Sequence, residues 1–197
     1  MYWKKLAALM LALALCLSGA VYAEEPENDD GAYYHLGDTI EDFTITTYDG
    51  QVVSLYSLLA EKDMVLLNLW ASWCGPCEME FPAMEAAYER YSDRVGIVAM
   101  SCEPEDTDEV LAEYVTSHGM TFYVGHDEAD LMTKFDQEGI PTSVAVDRFG
   151  AICFIECGAM PEAEQFIALF DVFVGEDYTA SVLLTETPRL KPAVEPQ

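Results

Sequence analysis

The chain has 197 residues, 51% of them hydrophobic and 12% aromatic, which suits one domain of ordinary size with an apolar core that needs no disulfide staples. Nine Lys and Arg stand against 36 Asp and Glu, a formal net charge of −27. That balance argues against a nucleic-acid partner, since phosphate binding needs a basic face, and against an anionic membrane surface; the acid either solubilises the surface or selects a basic partner.

Residues 1–23 have the layout of a secretory signal peptide. Lys4 and Lys5 form a positive start, residues 6–17 an apolar run, and residues 18–23 end in small residues before Glu24. The apolar run is short for a bilayer span, which needs about 20 residues; the leader is either cleaved or kept as an anchor. Cys16 follows Leu15 rather than a small residue, which disfavours a lipoprotein signal. Export places the chain outside the cytoplasm, secreted or tethered to the outer face of the membrane, where exposed thiols do not stay idle. Five cysteines follow the leader, Cys74, Cys77, Cys102, Cys153 and Cys157. The odd number leaves at least one unpaired in a monomer, the state expected here.

Residues 24–35 are acidic, with Pro and Gly, and read as a flexible linker. The ordered domain is expected over residues 36–175. Residues 43–48 and 51–55 predict two strands around Asp49-Gly50, where Gly accepts the positive φ of the turn. Residues 64–70 (MVLLNLW) form a nearly continuous apolar run, suited to a strand covered on both faces. Cys74-Gly75-Pro76-Cys77 follows its end. Met84, Tyr88 and Tyr91 recur at i, i+4, i+7 and predict a helix with one core face, kinked at Pro82, which has no N–H for the Glu78 carbonyl. Residues 95–100 predict another buried strand. Asp106 with Glu109 resembles a capping box, opening a helix through Val110, Leu111, Tyr114 and Val115 that ends near His118-Gly119. Residues 121–124 predict a short strand. Residues 129–135 predict a short helix, stopped by Gly139 and Pro141. Residues 143–147 and 151–157 predict a hairpin, and 162–174 a last amphipathic helix with Phe166, Ile167, Leu169, Phe170 and Phe173 inward. Residues 176–197, with three prolines, read as a tail. Strands alternating with helices, plus a terminal hairpin, indicate an α/β fold around a mixed sheet.

Three chemistries compete for the CxxC. A structural zinc site needs four ligands. Cys153 and Cys157 are a loose second pair at best, and no His stands at ligand spacing. Four residues apart in a strand is about 13 Å, too far, without a bulge or break, for a disulfide, which wants Cα atoms within about 7 Å. Cys153 and Cys157 are therefore expected on one face as buried apolar thiols. Cys102 lies just past a strand end, where chemistry gathers in α/β sheets; it is a third redox thiol or a half-buried one. The redox reading of the CxxC is the stronger. A strand-to-helix junction gives Cys74 unpaired N–H groups and a positive dipole end, both of which stabilise a thiolate. Pro76 fits the first helical turn. Cys77 lies one turn inside, in reach of a mixed disulfide on Cys74. His35, His118 and His126 are expected in surface or capping roles.

WASWCGPC, with Gly139-Ile140-Pro141-Thr142 further on, resembles the thioredoxin fold. LLNLWASWCGPCEMEFP, DFTITTYDGQVVSLYSL before it and GMTFYVGHDEADLMTKFDQEGIPTSVAVDRFG after it are similar to the extracytoplasmic thiol–disulfide reductases of the TlpA/ResA type within the redoxin group. The resemblance spans roughly residues 36–174. It implies a thioredoxin-like fold with an N-terminal β-hairpin and an extra helix and strand over residues 106–123. It implies that Cys74 attacks, Cys77 resolves, and the two form the Cys74–Cys77 disulfide. Pro141 matches the family's cis-proline, and Trp73, Gly75, Pro76, Ile140 and Pro141 would meet substrate. Glu80 matches a helix glutamate near the dithiol. No cofactor and no metal are implied. The implied partners are a disulfide-containing exported client protein and a membrane thiol-electron donor. Family clients include apocytochrome c, which would place the protein in cytochrome c maturation.

Asn68 stands where thioredoxin has a buried Asp, so Glu80 is the candidate for proton transfer. Glu78, Glu80 and Glu85 crowd the helix start in sequence, with no Lys or Arg near them. Negative charge disfavours a thiolate and tilts the pair towards a reductant. A thiol peroxidase on the same scaffold would show a Pro-x-x-x-Thr-x-x-Cys run, which the sequence lacks. A non-catalytic binding module on the fold is disfavoured by the intact CxxC and Pro141.

Overall fold

A computed structural model describes residues 33–175 and Tyr178. The expected leader (1–23), most of the linker (24–35) and the expected tail (176–197) apart from Tyr178 lie outside the described residues. β1 (Thr44–Thr46) and β2 (Val52–Ser54) pair antiparallel as a small separate sheet. Gly50 in their turn takes φ +82°, the backbone that its lack of a Cβ permits. The second strand is shorter than its β-prone run. Ser54 ends it by capping α1 (Leu55–Leu59), accepting the Ser57 N–H on Oγ. The Asp42 carboxylate accepts the Tyr56 N–H at 2.9 Å and holds that turn from twelve or more residues upstream. Sequence reading missed this helix, because the Asp42 contact is not a local one.

The central sheet holds β3 (Met64–Trp70), β4 (Val95–Ser101), β5 (Tyr123–His126), β6 (Thr142–Asp147) and β7 (Ile152–Cys157) in the order β5-β4-β3-β6-β7. The β3–β4 and β4–β5 pairs are parallel; β3–β6 and β6–β7 are antiparallel. The sheet is mixed, as the alternation of elements predicted. All of β3 and β4 is buried, and side chains alternate between two cores with the period of 2 that a strand imposes. Met64, Leu66 and Trp70 join one cluster; Val65, Leu67 and Leu69 join the other. Asn68 therefore faces the first cluster's side, and so do Ser143 and Asp147, which flank Ala145 on β6.

α2 (Gly75–Tyr91) and α5 (Ala163–Val174) pack together over the first cluster. Phe166, Phe170 and Phe173 of α5 are fully buried there, each contributing roughly 1.5–3 kcal/mol of apolar transfer. α2 runs on through Pro82. α4 (Leu131–Lys134) is shorter than predicted. It starts where the Asp127 carboxylate accepts the Leu131 and Met132 N–H groups, and with α1 it covers the second cluster.

α3 (Asp108–His118) ends at Gly119, φ +63°, as predicted. Its start differs. Thr107 is the N-cap, accepting the Val110 N–H, and Asp106 is turned away to another task described below. A second correction concerns β7. The register shifts between Ala145 and Val146, and such a bulge carries neighbouring residues to the other face. Cys153 packs against the first cluster with its Sγ 3.4 Å from the Tyr178 hydroxyl, whereas the Cys157 Sγ meets the Gly139 carbonyl and is exposed. The two thiols do not share a face, and Cys157 is not buried. Tyr178, within the expected tail, is buried against Phe173 and donates to the Asp147 carboxylate at 2.9 Å.

Candidate active site

Cys74 is the N-cap of α2, with extended backbone, and its Sγ accepts the Cys77 N–H at 3.2 Å. Gly75 and Pro76 form the first turn, where a proline loses no hydrogen bond. Cys74 and Cys77 are joined as a disulfide. Cys74 retains 4% of its surface and Cys77 none. Around them Gly75 and Pro76 are exposed, and Trp73 is 68% exposed.

The loop into the helix is held from the inserted segment. Ser72 has both main-chain groups occupied: its N–H donates to Asp106 Oδ2 at 3.0 Å and its carbonyl accepts from the Tyr114 hydroxyl. Asp106 is buried and also accepts from Ser101 Oγ at 2.5 Å. The Trp73 ring N–H donates to Glu103 Oε2 at 2.6 Å. The Trp70 ring packs on Phe81 and Tyr114. Sequence reading missed Asp106 and Tyr114 as site residues. Asp106 was spent on a local cap, and an Asp before a Thr carries no mark of a partner 34 residues away.

Thr142 pairs with Leu69, so β6 begins at the end of the sheet where β3 delivers the CxxC. The peptide bond between Ile140 and Pro141 is cis. The Pro141 carbonyl accepts the Gly158 N–H at 2.8 Å, and the Gly139 carbonyl accepts from Thr142 Oγ1 at 2.7 Å. Ile140 packs against both cores.

Glu80 is not a solvated helix carboxylate. It is fully buried one turn beyond Cys77. Oε1 accepts from Asn68 Nδ2 at 2.8 Å and Oε2 accepts the Met160 N–H at 3.0 Å. Burial pushes its pKa up to about 7, against the pull of those two hydrogen bonds, which favour the ionised form. Asn68 Nδ2 also donates to Ser143 Oγ at 3.2 Å. The other acids of the helix start differ from Glu80. Glu78 is exposed and lies 3.5 Å from His118 Nε2. Glu85 is not at the dithiol at all: its carboxylate accepts from the Thr121 N–H and hydroxyl. His118 is stacked on Tyr114, and His126 ends β5 rather than lying in a loop, paired to Asp108 at 3.0 Å.

A buried cysteine pair at a strand-to-helix junction, with a cis-proline beginning the neighbouring strand of a mixed sheet, defines a thiol–disulfide oxidoreductase with a thioredoxin-like fold. The AhpC/TSA family profile matches residues 36–155, and the chain belongs to that family. It is 31% identical over 130 residues to the thioredoxin-like protein YneN of Bacillus subtilis, a match covering 66% of this chain and 75% of that one. It is 33% identical over 138 residues to the thiol-disulfide oxidoreductase ResA of Oceanobacillus iheyensis, covering 67% of this chain and 70% of that one. The crystal structure of StoA from Bacillus subtilis matches with a TM-score of 0.56 at 27% identity, over 68% of this chain and 99% of that one.

Proposed function

We propose that the protein is an exported reductant of disulfides in client proteins, re-reduced by a membrane thiol donor. The observation that carries this reading is the asymmetry of the pair: Cys74 caps the helix and keeps some exposed surface, while Cys77 has none. The Cys74 thiolate attacks one sulfur of the client disulfide. That S–S bond breaks, a mixed disulfide forms, and the other client sulfur leaves as a thiolate that takes a proton. Cys77 then passes its proton to the Glu80 carboxylate and attacks the Cys74 sulfur. The second client sulfur leaves and takes the proton from Glu80. Two electrons have moved to the client, and the pair ends as the disulfide seen. A group with a pKa of about 7 both accepts and releases a proton near neutrality, which suits this relay.

Trp73, Gly75, Pro76, Ile140 and Pro141 are the substrate-facing wall in this reading. Export rests on the N-terminal sequence; among the described residues no helix is long and apolar enough to cross a membrane. The test is trapping. Cys77→Ala leaves Cys74 linked to its client, which mass spectrometry of the conjugate names, and the same variant fails to turn over insulin. Insulin reduction undiminished by Cys74→Ser overturns the proposal. A second reading is a thiol peroxidase on the same scaffold, against which stands the lack of a Pro-x-x-x-Thr-x-x-Cys run. Peroxide turnover without any reduction of protein disulfides would replace the first reading with the second.

A further inference from the structure

Glu80 is enclosed by donors. Its Oε1 faces the Asn68 side-chain amide and its Oε2 faces the Met160 N–H. Both hydrogen bonds that reach its oxygens come from donors, so a proton placed on either oxygen along those contacts would point at another hydrogen. The Met160 N–H belongs to the backbone and cannot be exchanged for an acceptor. The Asn68 amide can: half a turn about its last side-chain bond swaps Nδ2 for Oδ1. That Oδ1 is buried and has no hydrogen-bond partner, although Asn68 is wholly enclosed. A partnerless buried acceptor costs about 1–3 kcal/mol and calls for a reason.

We propose that Asn68 is a positioning residue for Glu80, and that its side-chain amide turns over when Glu80 takes up its proton. With Glu80 ionised, Nδ2 donates to Oε1. With Glu80 protonated on Oε1, Oδ1 accepts that proton and the Ser143 hydroxyl proton as well. One end of the amide lacks a partner in either orientation, so that penalty largely cancels between them. The proton on Glu80 then decides which orientation holds. The inference rests on the reading of Glu80 as the proton-transfer group and adds the element that lets a donor-lined pocket hold a neutral acid. The groups facing Glu80 are Asn68 from β3, the Met160 N–H from the segment before α5 and, along α2, Cys77, which does not titrate while the disulfide is intact. Ser143 on β6 stands behind Asn68. The rise in the Glu80 pKa has burial as its cause, and the Asn68 hydrogen bond opposes it.

The test uses the oxidised full chain, in which neither active-site sulfur ionises. Glu80 is followed through a 13C label on its carboxyl carbon, assigned with Glu80→Gln, and Asn68 through its side-chain 15N–1H signals. The expected result is a common midpoint near pH 7, with the Asn68 amide protons moving upfield as Glu80 becomes protonated. Asn68→Leu removes the partner of both forms, of which the charge-assisted bond to the ionised form is the stronger, so the Glu80 midpoint rises, by up to about one pH unit, a tenfold tighter proton. Asn68 signals that stay flat through the Glu80 titration overturn the proposal. So does a folded Asn68→Leu with an unmoved midpoint. If Asn68→Leu does not fold, the wild-type co-titration decides. These are equilibrium readings with the disulfide intact, whereas the role of Glu80 in turnover is read from the rate of client reduction by Glu80→Gln, so either can fail while the other stands.

Discussion

The Ser72 N–H, two residues before Cys74, is bonded at 3.0 Å to the carboxylate of Asp106, which lies between β4 and α3. Because Tyr114 on α3 holds the Ser72 carbonyl, both main-chain groups of Ser72, one on each of two successive peptides, are held by the inserted segment. Asp106 is buried and spans Ser72 and Ser101, so it ties the loop to the end of β4 as well. The insert thus does more than enlarge the sheet: it fixes where Cys74 begins its helix.

Asp106→Ala leaves the Ser72 N–H and the Ser101 hydroxyl without their acceptor. The buried Ser101 hydroxyl costs about 1–3 kcal/mol as an orphan and the half-buried Ser72 N–H less, so the urea midpoint falls. Insulin reduction slows at the same time, because Cys74 loses its fixed approach. Tyr114→Phe loses only the second contact and costs less. The double variant costs less than the sum, since both side chains act on the same residue, Ser72. Unchanged stability in Asp106→Ala refutes the clamp.

Among the described residues, the three cysteines outside the dithiol should react in a fixed order. Cys157 is exposed; Cys102 is half-buried, with its thiol pKa raised by burial first; Cys153 is pushed up to about 11, again by burial first. At pH 8 a thiol of pKa about 11 is ionised in about one molecule in a thousand. In the oxidised protein, iodoacetamide should label Cys157 well before the other two, as read by peptide mass mapping over time. Labelling of Cys153 first would contradict the bulge that separates their faces.

The frame of this protein was legible because it rests on local patterns. MVLLNLW announces a strand covered on two faces, and Asp49-Gly50 and Gly119 announce a turn and a helix end. The dithiol was legible for the same reason: a strand end, two cysteines and a proline stand within a few residues. What escaped was tertiary. Asp42 starts α1 from a distance, Asp106 bonds Ser72 rather than its own helix, and a bulge opposite Ala145–Val146 turns Cys153 away from Cys157. Glu80 was marked by position, but its burial depends on Met160, 80 residues away. Of the three acids crowded at the helix start in sequence, Glu85 serves Thr121 instead, which leaves Glu78 and Glu80 to disfavour a thiolate there.

Tyr178 tests how far the ordered domain extends. Its hydroxyl donates to Asp147 Oδ2, while Asp147 Oδ1 accepts the Phe149 and Ala151 N–H groups. Asp147 is fully buried. Burial is the first cause that raises the Tyr178 pKa, so the hydroxyl stays a donor at all ordinary pH. Tyr178→Phe leaves half of a buried carboxylate unpartnered and should cost about 1–3 kcal/mol by urea unfolding. A null result would mean that this tyrosine is not docked in solution.

Glu80 should leave a signature in stability as well as in rate. Its carboxyl goes from an ordinary 4.5 to about 7 on folding. The folded state therefore binds the proton more tightly, and that advantage is lost as pH rises. Below pH 4.5 the group is neutral in both states and burial carries no charge penalty. Between pH 4.5 and 7 the unfolded chain ionises first and stability falls. Above pH 7 both states are ionised and the full penalty, about 3 kcal/mol, remains. Glu80→Gln is neutral throughout: its oxygen serves the Met160 N–H, and its amide meets a turned Asn68. Relative to the wild type, Glu80→Gln should gain nothing at pH 4 and up to about 3 kcal/mol at pH 8. The measurement is urea unfolding of the oxidised proteins across that range. A wild-type-to-variant difference that does not change with pH would mean that Glu80 titrates as an ordinary glutamate, and the proton relay through it would fall with that result.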